Sequence, residues 1–252
     1  MMTTRESLED HLRKTTRHFS ARLPEEQVLT LGRDLARELA RAHAESPPRH
    51  PGIEPATIPF VDGKPVLEGG EGAGDVTEDL LQLGALLHSL ATAGTARRIA
   101  QLERQERRIV EEAFTAGLLH DVGRLVLLAN LSKQYVEAIN QSKETSVPLI
   151  ESERKVFGAS HAEIGGYLLG LWGLPIPLVE AVVFHHHPHD CQSQAFTPLT
   201  AVHAANVLEH ETAPDPLPFL RPELDRQYLA QVGVLDHVPI WRTLPVGGDS
   251  SD

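Results

Sequence analysis

Along most of the chain, apolar residues recur at three- and four-residue steps rather than alternating, the spacing of helices that bury one face. Leu8 and Leu12, then Val28, Leu31, Leu35 and Leu39 predict helices over residues 6 to 45, with a break at Leu23-Pro24, where proline suits the first turn of a second helix. From Ser46 to Gly74 the pattern collapses into Pro- and Gly-rich text. Within it "IPFVDGKPVL" predicts two short strands around Asp62-Gly63, and "GGEGAG" has the composition of a flexible linker. Helical periodicity resumes at Val76. Turn signals then fall at Ser146 to Pro148, Gly158 to Ser160, Gly173 to Pro177, Pro188 and Pro214 to Pro218. The expectation is roughly eight short helices in an all-α bundle over residues 75–245, preceded by a helical extension with a hairpin over 1–74 and followed by a frayed tail at 246–252. No period of 20 to 50 residues repeats, so a solenoid is not indicated.

The 252 residues, 41% of them hydrophobic, can fill one large domain, or one domain with a smaller appendage. A net charge of -12 repels a phosphate backbone on average, so no nucleic-acid partner is expected. The single cysteine, Cys191, has no internal disulfide partner, and no N-terminal apolar run resembles a signal peptide or membrane span. A cytoplasmic protein without a membrane anchor is expected.

Against this background "GLLHDVGRLVLL" is unusual, because it sets His120 and Asp121 side by side in an apolar, helix-like run. Burying an unpaired carboxylate and imidazole costs several kcal/mol or more, so such a pair needs a metal, a hydrogen-bond network or water. Two other segments carry histidine on helices expected to be buried. In "LLHSLATAGTARRIA", His88 sits among leucines on a face continued by Leu90, Ala93, Ala96 and Ile99. In "VEAVVFHHHPHD", His185, His186 and His187 end an apolar helix. Imidazole with carboxylate suits zinc, iron or manganese rather than calcium, so His88, His120 and Asp121 form a candidate set for a divalent metal.

These segments resemble the HD superfamily of metal-dependent phosphohydrolases, and more closely its HDOD branch, a bacterial signalling and output module. "LLHSLATAGTARRIA" resembles that branch's histidine-serine helix and "EEAFTAGLLHDVGRLVL" its HD helix. "ESERKVFGASHAEIGGYLLGLWGLPIPLVEAVVFHHHP" is similar to its run from glutamate through glycine-histidine, tryptophan-leucine-proline and paired histidines. The resemblance implies an HD-like helical bundle over residues 84 to about 210. Two departures bear on chemistry. Where HD hydrolases bring a later aspartate to the metal, "LTAVHAANVLEH" offers Asn206, a neutral and weaker ligand. Arg124 replaces the lysine that often follows the motif, keeping the charge but not the point-donor geometry.

Beside the resemblance stand simpler roles. His161, four residues before Gly165, braces one helix against a neighbour. "HHHPHD" reads either as a solvated helix end, where cationic histidines suit the C-terminal dipole, or as part of the site. Trp172, with Leu174 and Pro175, is expected as a core anchor and helix stop. The stretch from "LARELARAHAESPPRHPG" to Gly70 faintly resembles a protein-kinase catalytic-loop region, but Gly52, Thr57 and "EGG" stand where the catalytic and metal-binding residues belong, so kinase activity is rejected.

The reading is a non-catalytic bacterial signalling or regulatory module that acts through a protein partner or small ligand. His88, His120 and Asp121 form a buried cluster or weak metal site, flanked by His161, His185, His186 and Asn206. The alternative is a metal-dependent phosphohydrolase acting on a nucleotide or cyclic dinucleotide. Self-association through the apolar faces of "LLQLGALLHSLATAG" and "LWGLPIPLVEAVV" is a further alternative to core packing.

Overall fold

The computed structural model describes residues 76–212 and 222–244, with three short strands before them. The strands β1 (Glu6–Ser7), β2 (Pro59–Val61) and β3 (Lys64–Pro65) form an antiparallel sheet in that order, Phe60 facing both Glu6 and Pro65. Glu6–Ser7 is thus extended rather than helical as the periodicity implied. The remaining helices expected before residue 46, the kinase-like stretch, the turn at Asp62-Gly63 and the tail at 246–252 lie outside the described residues. The chain divides into two units, Met1–Leu87 and His88–Asp252.

The described helices are α1 (Val76–Leu102), α2 (Arg107–Leu119), α3 (Val122–Thr145), α4 (Leu149–Phe157), α5 (His161–Leu171), α6 (Ile176–Phe184), α7 (Pro198–Thr212), α8 (Arg226–Val232) and α9 (Val238–Trp241), the last a single turn. The expected breaks at Ser146 to Pro148 and Gly158 to Ser160 fall between helices, and that at Gly173 to Pro177 spans the gap before α6 and its first two residues. A break at Glu103–Glu106 was not legible, because its left-handed residue is Arg104, at φ 51°, rather than glycine.

Within the second unit, α7 is the central element, buried without interruption from Pro198 through Glu209. Helices α2 and α6 pack on it and on each other, α5 packs on α6, and α3 packs on α5 and α4. The buried face of α1 at Ala93, Ala96, Ile99 and Ala100 joins the same core. Burial of α2 at Val110, Ala113, Ala116 and Gly117 follows the helical period.

Two close approaches position the chemistry. A Cβ at Gly117 would come within 2.7 Å of the Ala93 backbone, and one at Gly123 would overlap the His161 carbonyl oxygen. Hydrogen in place of a side chain lets α2 lie against α1, and the start of α3 against the start of α5. Gly123→Ala must force α3 from α5. We expect a loss of about 1–3 kcal/mol, as for overpacked cores, read as a lower urea midpoint.

Candidate metal and histidine site

His120 and Asp121 do not lie within one helix. His120 is the last residue of α2 in helical conformation, and Asp121, at φ -102° and ψ 14°, precedes the first turn of α3. The apolar run is two helices meeting at the HD pair, and the junction aims both side chains inward. Neither exceeds 1% exposure.

Two of the buried histidines beside Asp121 share one device. His120 Nδ1 donates to the Gly117 carbonyl at 2.7 Å, and His185 Nδ1 donates to the Val182 carbonyl at 2.7 Å, each three residues back. These bonds fix the tautomer and leave each Nε2 as a bare lone pair. Both Nε2 atoms are buried without a hydrogen-bond partner, as are both Asp121 carboxylate oxygens. His120 Nε2 lies 3.6 Å from Asp121 Oδ2, and His185 Nε2 lies 3.9 Å from Asp121 Oδ1. Ligands held at about 2.0–2.2 Å by one ion are separated by roughly 3–4 Å, the spacing that each of these two histidines has to one oxygen of Asp121. A carbonyl that accepts the other ring proton is the usual accompaniment of a metal-binding imidazole.

His88, on α1, comes within reach of His120 and Asp121, so the three offer ligand atoms within 4.8 Å of one another. His161, His185 and His186 form a second such group. Asn206, on α7, places Oδ1 2.7 Å from His88 Nε2 and accepts its proton. The sequence-derived candidates therefore all converge, from α1, the α2–α3 junction, α5, the end of α6, and α7. His185 is wholly buried and His186 half-buried, which corrects the solvated-helix-end alternative; in "HHHPHD" the exposed imidazole is His189, paired with Asp225 at 2.6 Å.

Three partners in this network escaped the sequence reading. Glu153, fully buried on α4, accepts from the His161 backbone N–H at 2.9 Å, its ring Nδ1 at 2.6 Å and the Tyr135 hydroxyl at 2.9 Å. Its position eight residues before His161, in the glutamate-to-histidine run, was the available signal. His210 lies one helical turn beyond Asn206, its ring centre 4.3 Å from that of His88. His161 does brace α5 against a neighbour, through Glu153, while its Nε2 sits 3.2 Å from Asp121 Oδ1 and 3.1 Å from His186 Nε2.

Arg124, one turn into α3, brings Nη1 to 2.7 Å from Asp121 Oδ2. This is an ion pair by distance but not an aligned hydrogen bond, since the carboxylate oxygens have no partner of good angle. Burial raises the carboxyl of Asp121, but Arg124 and then His120 hold it well below its ordinary value. Burial also disfavours charge on His161, yet the Glu153 carboxylate overcomes it and lifts His161 to about 9. Burial pushes His120 down to about 4, and pushes His185 and His186 well down. Two carboxylates, one guanidinium and one imidazolium therefore balance, with His120, His185 and His186 neutral.

The sequence-expected role of Trp172 is corrected: it caps α5 but is 62% exposed, because Gly165 and Gly166 bring α5 so close to α6 that the core there is closed by Val182 and Val183. No helix among the described residues is long and apolar enough to cross a membrane.

Two outcomes follow for chelator-treated protein. Glu153→Gln should cost about 3–5 kcal/mol by leaving a buried imidazolium unpaired, against less than about 0.5 kcal/mol for the more exposed Glu151→Gln. Stability should peak near pH 6.5. The buried neutral histidines contribute stability that is lost as pH falls from about 6.5, where the unfolded chain takes up protons they refuse. His161 contributes stability that is lost as pH rises from about 6.5 toward its folded value. Urea titrations across pH check both limbs, and His161→Gln should flatten the alkaline one.

Residues 77–188 match the HDOD domain family. An uncharacterised protein of Treponema pallidum (strain Nichols) is 27% identical over 85 residues, 33% of this chain and 17% of that protein. The chain thus spans under a fifth of that relative. Among solved structures, an HDOD domain protein of unknown function from Geobacter sulfurreducens is 18% identical, covering 94% of this chain and 90% of that one, at a TM-score of 0.48. A protein provisionally named a phosphohydrolase, from Shewanella amazonensis SB2B, is 20% identical over 70% of this chain and 61% of its own, at a TM-score of 0.46. The clustered histidines from His88 to His186 thus lie within the stretch that matches the HDOD domain family.

Proposed function

We propose that this HDOD domain is a non-catalytic regulatory module of a bacterial signalling system, working through a protein partner or small ligand. The observation that carries the reading is the Arg124 guanidinium 2.7 Å from Asp121, inside a buried cluster whose charges already cancel. A cation built into the chain occupies the electrostatic role an ion would take. Asn206 supports the same reading, because its amide engages His88 and brings no negative charge where a hydrolase would place a carboxylate.

Chelator-free purification followed by metal analysis, with phosphate release from nucleotides and cyclic dinucleotides in manganese or iron, tests it. We expect no turnover above a His120→Ala control. Stoichiometric metal with turnover abolished by His120→Ala would overturn the module reading.

A metal-dependent phosphohydrolase is the second reading, favoured by four buried donor atoms without a hydrogen-bond partner: Nε2 of His120, Nε2 of His185 and the two oxygens of Asp121. A divalent ion there would act as a Lewis acid toward a phosphate ester. Asn206 limits that chemistry, so Asn206→Asp should raise manganese affinity roughly tenfold, the scale on which supporting groups tune metal sites. Isothermal titration calorimetry measures the change.

A further inference from the structure

Four of the large apolar side chains most open to water lie within ten residues. Tyr167 is 72% exposed, Leu171 66%, Trp172 62% and Ile176 71%. Their helix explains the grouping. The buried side of α5 is Ala162, Gly165, Gly166 and Leu169, while its opposite side runs Glu163, Tyr167, Gly170 and Leu171. That outer stripe is apolar where a solvated helix is polar, and a helix apolar on both sides is normally covered. Trp172 and the first turn of α6 extend it. A Cβ at Gly170 would meet no atom within 4 Å, so a partner backbone can approach there.

Area and charge decide what covers it. Aromatic side chains offer about 150–250 Å² each, and at these exposures the four residues present on the order of 500 Å². That is the size of a functional surface patch and short of the roughly 800 Å² per partner of a stable protein dimer. Two chains each carrying -12 also repel. Apart from His161, the charged side chains of α5 and α6 are Glu163, which pairs with Arg154 of α4 at 3.3 Å, and Glu180, so these two helices themselves offer no lysine or arginine to an anionic membrane.

We infer that Tyr167, Leu171, Trp172 and Ile176 form a docking surface for a short amphipathic helix of a partner protein, flanked by basic residues. Apolar side chains one turn apart on that helix lie along Tyr167 and Leu171, and its lysines or arginines meet Glu180 and the outer side of Glu163. This deepens the regulatory reading by giving the partner a place and a chemistry.

The chain carries its own reporter. Of its two tryptophans, Trp172 is exposed and Trp241 is 1% exposed, so changes in emission and quenching report Trp172. The probe is a synthetic peptide of about eighteen residues, long enough to form a helix, with leucines at i, i+4 and i+7 and lysines at both ends. Added to the full chain, it should shift Trp172 emission to the blue and protect it from acrylamide. Leu171→Ser, on a solvent-facing site, should weaken binding about tenfold without moving the melting temperature, and glutamates in place of the peptide's lysines should weaken it several-fold.

Absence of a blue shift, or equal binding by Leu171→Ser, overturns the proposal. Trp172 already shielded in the free chain overturns it in favour of the chain's own residues 1–87 at every concentration, or of a second copy if shielding grows with concentration. A shift with phosphatidylglycerol vesicles but not with peptide assigns the surface to lipid. Metal-dependent turnover alongside peptide binding would sink the regulatory reading and leave this surface standing.

Discussion

A carboxylate at 1% exposure must find positive charge, and Asp121 finds it in Arg124 three residues ahead on the same helix. Everything around the site is arranged to make that burial tolerable. The helix junction turns Asp121 inward, Gly123 lets α5 approach until His161 lies beside it, and Glu153 holds His161 in its charged form. Removing one member leaves another charge stranded, so the cluster behaves as a unit. Tyr135 extends that unit along α3, beyond the non-helical residue Leu131, by its bond to Glu153. Both halves of the bent helix are therefore tied to the same buried pair.

The same arrangement both invites and resists an ion. His120 and His185 hold their Nε2 lone pairs toward Asp121 by giving their other proton to a carbonyl of their own helix. That is how ligands are prepared. Yet the carboxylate they converge on already has a guanidinium, and the helix that crosses the core offers an amide to His88. An ion entering here would compete with a charge that cannot diffuse away. The balance between prepared donors and a resident cation is what separates the two functional readings.

The fold class and the meeting of His88, His120 and Asp121 were legible because helical periodicity and the HD, glycine-histidine and paired-histidine segments are local features of the text. Less legible was anything set by a partner distant in sequence. Glu153 looks like its neighbour Glu151 in "ESER", and burial alone separates them. The split of the apolar run at His120-Asp121 has no glycine or proline of its own; it follows from the packing at Gly117 and Gly123, beyond periodicity. Trp172 was misread because tryptophan usually anchors a core, whereas here small residues close the α5–α6 contact and leave the indole outside. Where the core is made of glycine and valine, the largest residue is free for another use.

The stretch matched to the family ends at residue 188, ten residues before α7 begins. Helix α7 nevertheless fills the centre of the second unit, and its His203 donates to the His185 carbonyl while accepting the backbone N–H of Asp225. The segment that matches the family is thus smaller than the core it packs into. Cut at 188, the polypeptide would keep its recognisable motifs and lose the beam they are fastened to.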